Sequence, residues 1–118
     1  MAADARPREW LGATAVGSQD PVLPRLLRSA AAMCDHYPQL HFLVNFYDPP
    51  QRQFDATALV REHTPGGSAV EATRVSGMKT LFWKRVLTPE FLRARGVQLV
   101  WLVDSDISIH PSSFPLGQ

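Results

Sequence analysis

The sequence predicts a doubly wound α/β domain with a mainly parallel sheet of about four strands. Three observations lead there. The run Leu99-Val100-Trp101-Leu102-Val103 is apolar without alternation, as expected of a strand covered on both faces. Strand-like apolar runs alternate along the chain with segments at helical spacing. The stretches between the strand candidates also exceed the crossover of about a dozen residues that parallel neighbours need.

Leu11 to Val16 is the first strand candidate, ended by Gly17-Ser18-Gln19-Asp20-Pro21. A helix starts between Pro21 and Pro24, because proline is tolerated in a first turn and harmful later. Val22, Leu23, Leu26, Leu27, Ala30 and Cys34 recur at helical spacing, with Arg25 and Arg28 opposite, and His36 to Gln39 closes the element. Leu40 to Phe46 is the second strand, stopped by Tyr47-Asp48-Pro49-Pro50. A short helix is expected around Ala56 to Arg61, a loop at Thr64 to Ser68 and a short edge strand at Ala69 to Val75. Gly77 to Leu87 reads as a helix whose apolar face is Met78, Leu81, Phe82 and Val86. Thr88-Pro89-Glu90 opens another helical turn through Arg95, stopped by Gly96. Val97 to Val103 is the last strand, expected to be central, buried and paired with Leu11 to Val16. Strand order 3-2-1, with the fourth returning beside the first, leaves a crevice at the switch point, where such sheets bind ligands.

Composition sets the outer bounds. The chain has 118 residues, 45% of them apolar and 19% charged, which fits one globular domain and not a disordered segment. Twelve Lys and Arg against 11 Asp and Glu leave a net charge of +1, so no nucleic-acid partner is indicated. The single cysteine, Cys34, excludes an internal disulfide and a cysteine-rich zinc site, and its apolar helical setting reads as core. No apolar stretch is long enough to span a membrane, and Met1 to Arg8 is not followed by the apolar region of a secretory signal. The compartment is left open, a longer parent included. Residues 1–10 are expected to be a flexible N-terminus.

The chemistry is concentrated where the last strand ends, at Asp104-Ser105-Asp106. Strand side chains alternate, so both aspartates share a side if the strand geometry continues through them. Two carboxylates together are costly unless a cation lies between them, and a divalent ion that also holds a diphosphate is the simplest such partner. Oxygen-only ligands favour Mg²⁺ or Mn²⁺ over zinc. The plain alternative is that Asp104 and Asp106 terminate a strand and cap the next turn. The Gly17 to Asp20 loop could present backbone N–H groups to a phosphate, or Ser18 or Asp20 could simply cap the helix. Asp48 could meet a base or ribose, or belong to an ordinary Asp-Pro-Pro turn. Lys79, Lys84 and Arg85 are candidate phosphate cations, against the bland reading of a solvated helix side. Trp83 and Trp101 read as core or interface, and His110 as a loop residue.

Lys79 to Glu90, followed by Val100-Trp101-Leu102-Val103-Asp104-Ser105-Asp106-Ile107, resembles a plant-rich family catalogued as domain of unknown function 707. Val16-Gly17 and Phe46-Tyr47-Asp48 resemble its pattern as well, and the similarity runs from about residue 12 to residue 115. That family is similar to glycosyltransferases of the GT-A fold, so the resemblance implies the nucleotide-binding half of a GT-A, Rossmann-like domain. It implies a nucleotide-sugar donor held through Mn²⁺ or Mg²⁺, with Asp106 as the metal ligand and Asp104 at the ribose or a metal-bound water. Gly17, Asp48 and Lys79 would serve the nucleotide. Two departures are plain: Ser105 stands where members carry a bulkier acidic residue, and members continue beyond Gln118. The acceptor, the sugar and the catalytic base are not readable. From this the chain alone is expected to be an incomplete, inactive transferase domain, marginally stable and prone to associate.

Two other classes remain. Asp104-Ser105-Asp106-Ile107-Ser108-Ile109 also resembles the nucleophile motif of haloacid-dehalogenase-type phosphatases, with Asp104 attacking phosphorus and Asp106 as acid/base. That motif opens its domain on the first strand, whereas here it follows the fourth. The third class is a non-catalytic, degenerate domain.

Overall fold

Strand and helix alternate in chain order: β1 (Trp10–Val16), α1 (Leu23–His36), β2 (Leu40–Phe46), α2 (Ala56–His63), β3 (Val70–Thr73), α3 (Lys79–Arg85), α4 (Pro89–Ala94) and β4 (Leu99–Leu102). The computed structural model describes residues 9–64 and 69–103. The strands form one sheet in the order β3-β2-β1-β4, and every pairing is parallel. This is the doubly wound arrangement read from the sequence, with the first and last strands side by side.

β1 is a full strand at the middle of the sheet. Leu11 and Ala13 pack on one face with Leu43 and Phe82. Val16 joins Phe42, Val44 and Phe46 on the other face, under Leu26, Leu27, Ala30 and Met33 of α1. One glycine makes this packing possible. A Cβ on Gly12 would lie 2.5 Å from two carbons of the Phe42 ring, well inside contact distance. The bare backbone lets that ring lie against the strand and meet Trp101 edge-on, centroids 6.5 Å apart. Gly12 pairs in register with Phe42 on one side and Trp101 on the other, so the two aromatics close over a residue without a side chain.

The helices follow from local chemistry. α1 carries Pro24 in its first turn and ends at His36, where Tyr37 turns extended ahead of Pro38. α2 starts at a capping aspartate, with Asp55 Oδ1 accepting from the Ala58 N–H at 3.0 Å, and extends two residues past the expected end. Thr88 caps α4 by accepting from the Phe91 N–H at 3.1 Å, and Gly96 closes it at φ +67°. Cys34 is buried in the core as expected.

Two expectations need correction. α3 is shorter than Gly77 to Leu87, and its apolar face is not buried as a unit: Phe82 is fully buried, whereas Met78 is 73% and Leu81 37% exposed. Gly77, at φ +98°, breaks the backbone ahead of α3, and the Leu81 side chain lies across it. β4 is also not buried on both faces, nor central. Among the described residues it pairs with β1 alone and forms an edge, with Leu99 40% and Leu102 46% exposed. Trp101 turns inward against the main core, and Trp83 packs against the smaller cluster around Phe82, so both tryptophans are structural.

Candidate functional site

A parallel sheet brings the carboxyl ends of all its strands to one edge. Here that edge carries the loops after β1 (Gly17 to Asp20), β2 (Tyr47 to Pro50) and β3 (Arg74 to Met78). Side chains knit them together.

Asp48 is the centre of the first knot. It is buried at the end of β2, with its carboxylate aimed at the β1 loop. Oδ1 accepts from the Ser18 N–H at 2.8 Å and Oδ2 from the Ser18 hydroxyl at 2.7 Å. Arg52 Nε stands 3.3 Å from Oδ2. Burial alone would raise this carboxyl, but the two bonds from Ser18, together with the Arg52 charge, hold it below its ordinary value. Asp48 thus stays ionised, with both carboxylate oxygens engaged within the protein. Within the protein these contacts give it a positioning role, since it fastens the Gly17-Ser18 loop. The Ser18 N–H, one of the groups considered for a phosphate, is committed to the same contact. Asp20 closes the turn, accepting on Oδ1 from the Val22 N–H at 3.0 Å.

Asn45 makes the second knot. Fully buried on β2, it donates from Nδ2 to the Val75 carbonyl at 3.1 Å. Its Oδ1 accepts from the Val75 N–H at 2.7 Å and the Thr73 hydroxyl at 3.0 Å. An amide that satisfies a backbone N–H and C=O at once substitutes for a strand neighbour, and it fixes where β3 leaves the sheet. Ser76 continues the seam, its hydroxyl donating to the Asp48 carbonyl at 2.7 Å. Gly77 N–H donates to the Tyr47 carbonyl at 3.3 Å.

Of the sequence candidates, Gly17 and Asp48 are brought together on this edge, with the Tyr47 ring 3.6 Å from where a Gly17 side chain would begin. Lys79 opens α3, and its side chain lies outside the described part. Asp104, Asp106 and His110 lie outside the described residues. The last described contact before them is the Val103 N–H, which donates to the Ala13 carbonyl at 2.9 Å and continues the β4–β1 ladder. Among the described residues no group of three or more His, Cys, Asp or Glu is placed to hold a metal ion. Asn45, Ser76 and Arg74 were not singled out in the sequence. The signal for Asn45 was available, as the one amide in a strand run whose other residues, His41 apart, are apolar.

No family model, curated protein or solved structure matches the chain.

Proposed function

We propose that this chain is the nucleotide-binding part of a glycosyltransferase-like protein, taking a nucleotide-sugar donor through Mn²⁺ or Mg²⁺ at Asp104 and Asp106. The observation that carries this reading is the parallel pairing of β4 with β1, Leu102 opposite Ala13. The switch point of the sheet therefore falls between these two strands, and switch points are where open α/β sheets bind ligands. Gly17 follows one of the strands and Asp104 the other in the sequence.

The donor set fits a hard divalent ion. Asp48 is engaged by Ser18 and Arg52, so the carboxylate oxygens for such an ion would come from Asp104 and Asp106. When bound, the ion supplies Lewis-acid stabilisation of the charge that develops on the departing diphosphate. The chain's own residues supply position. Asp48 and Ser18 hold the β1 loop, and Asn45 holds the exit of β3.

Calorimetry of the chain with uridine and guanosine diphosphates, with and without Mn²⁺, tests the reading. Metal-dependent binding should vanish in Asp106→Asn and weaken in Asp104→Asn. Unchanged affinity in the double variant removes the site, and a beryllofluoride adduct on Asp104 points to the phosphatase chemistry instead.

A further inference from the structure

Beyond the β2 loop, an open hollow of about 480 Å³ is lined by Pro50, Arg74, Val75, Ser76 and Arg85. We propose that it is an oxyanion site, taking the phosphoryl or carboxylate group of a small anionic ligand between Arg74 and Arg85 without a metal ion. This goes beyond the function proposed above, since neither Asp104 nor Asp106 is part of it.

Charge is the first argument. The described lining residues of this one concavity include two arginines and no acidic residue. Asp48, fastened to the same seam through its carbonyl and Ser76, has its own carboxylate turned to Ser18 and Arg52. Two like charges on one hollow repel each other, and an anion between them adds attractions to both that outweigh the repulsion.

Preorganisation is the second. Arg74 is not a loose surface arginine: its guanidinium carbon lies 4.1 Å above the Phe54 ring, and Nη2 donates to the Pro49 carbonyl at 3.2 Å. Phe54 is itself held edge-on against the buried Phe46, centroids 5.4 Å apart. One of five guanidinium donors is used, and the others remain for a ligand. The side chain of Arg85, the last residue of α3, makes no hydrogen bond or ion pair among the described residues. A planar fork held in place beside an uncommitted one is the arrangement that recognises oxyanions in a bidentate manner. The hollow also exceeds a bare phosphate in size, falling in the roughly 300–1,000 Å³ range of small-molecule sites.

The test titrates the chain with inorganic phosphate and, separately, malonate, in EDTA and about 0.15 M salt so that loose surface attraction is screened. Backbone amide shifts report where each anion goes, and calorimetry reports its affinity. Saturable binding that moves the Arg74, Val75 and Ser76 amides and weakens about tenfold or more in Arg85→Ala is expected. Arg85→Ala should keep the wild-type melting temperature, because the Arg85 side chain holds nothing among the described residues. Preference for phosphate or for malonate assigns the ligand as phosphoryl or carboxylate. The proposal is overturned by absence of saturable binding, by unchanged affinity in Arg85→Ala, or by equal weakening in Arg28→Ala on the far helix α1. Asp106→Asn should leave this metal-free binding untouched, and loss of it there would equally overturn the proposal. Failure of the metal site alone would leave it standing.

Discussion

Ser18 grips Asp48 twice, through its hydroxyl and through its own backbone N–H, across 30 residues of chain. The bond joins the loops after two neighbouring strands where their ladder has ended. Its strength depends on Asp48 being charged and screened from water.

Removing that carboxylate should be expensive. Asp48→Ala strands the Ser18 donors and leaves Arg52 without its partner, a loss of about 1–3 kcal/mol measurable by urea denaturation. The pH dependence has a definite sign. The native carboxyl titrates below its unfolded counterpart, so the unfolded chain binds more protons in between. The contribution is therefore complete above the unfolded value of about 4 and is lost as pH falls through the lower native value. The stability gap between wild type and Asp48→Asn should narrow on acidification below about pH 4, and a gap independent of pH would refute the account.

At Gly12 the expected cost is steric. Gly12→Ala forces the Phe42 ring to move and should destabilise the sheet by about 1–3 kcal/mol. A double-mutant cycle with Phe42→Leu gives the decisive reading. The pair should be more stable than the sum of the single changes predicts, since the smaller side chain removes the collision.

Asn45→Leu keeps the volume and removes the amide. The Val75 N–H and C=O and the Thr73 hydroxyl lose their partner together, at about 1–3 kcal/mol for each group left buried. Hydrogen exchange should show the Val75 amide losing protection in this variant while amides of α1 keep theirs.

Thr88→Ala removes one capping bond at the start of α4 and should lower stability by about 1 kcal/mol. Thr88→Ser, which retains the acceptor, should recover most of it in thermal melts.

Much of this architecture could be read from residue order. Apolar runs at Leu40 to Phe46 and Val97 to Val103, separated by helical spacing, led to a parallel sheet with β4 beside β1. What the pattern could not convey was how much cover each strand receives. An apolar run shows what a strand would bury, whereas burial also depends on which helices reach it. Leu99 and Leu102 thus came out exposed although their run resembles a fully covered strand. Met78 and Leu81 failed for a related reason, because helical spacing says nothing of where a positive-φ glycine starts the helix. Asp48 was singled out in the sequence, but not the partner that turns it inward, since Ser18 lies 30 residues away and no local pattern joins them.

The four strands are unequally fastened at the carboxyl edge of the sheet. β1, β2 and β3 are stitched beyond their ladders by Ser18, Asp48, Asn45 and Ser76, whereas the backbone bonds of β4 run to β1 alone among the described residues. Among the described residues no such stitch extends beyond the ladder of β4, and its amides are expected to exchange through local fluctuations before the whole domain unfolds. A ligand that engages the end of β4 must suppress those fluctuations as it binds, so its apparent affinity is tied to how firmly one edge strand is seated. Substitutions that tighten β4 on β1, far from any ligand atom, would then act as affinity mutations.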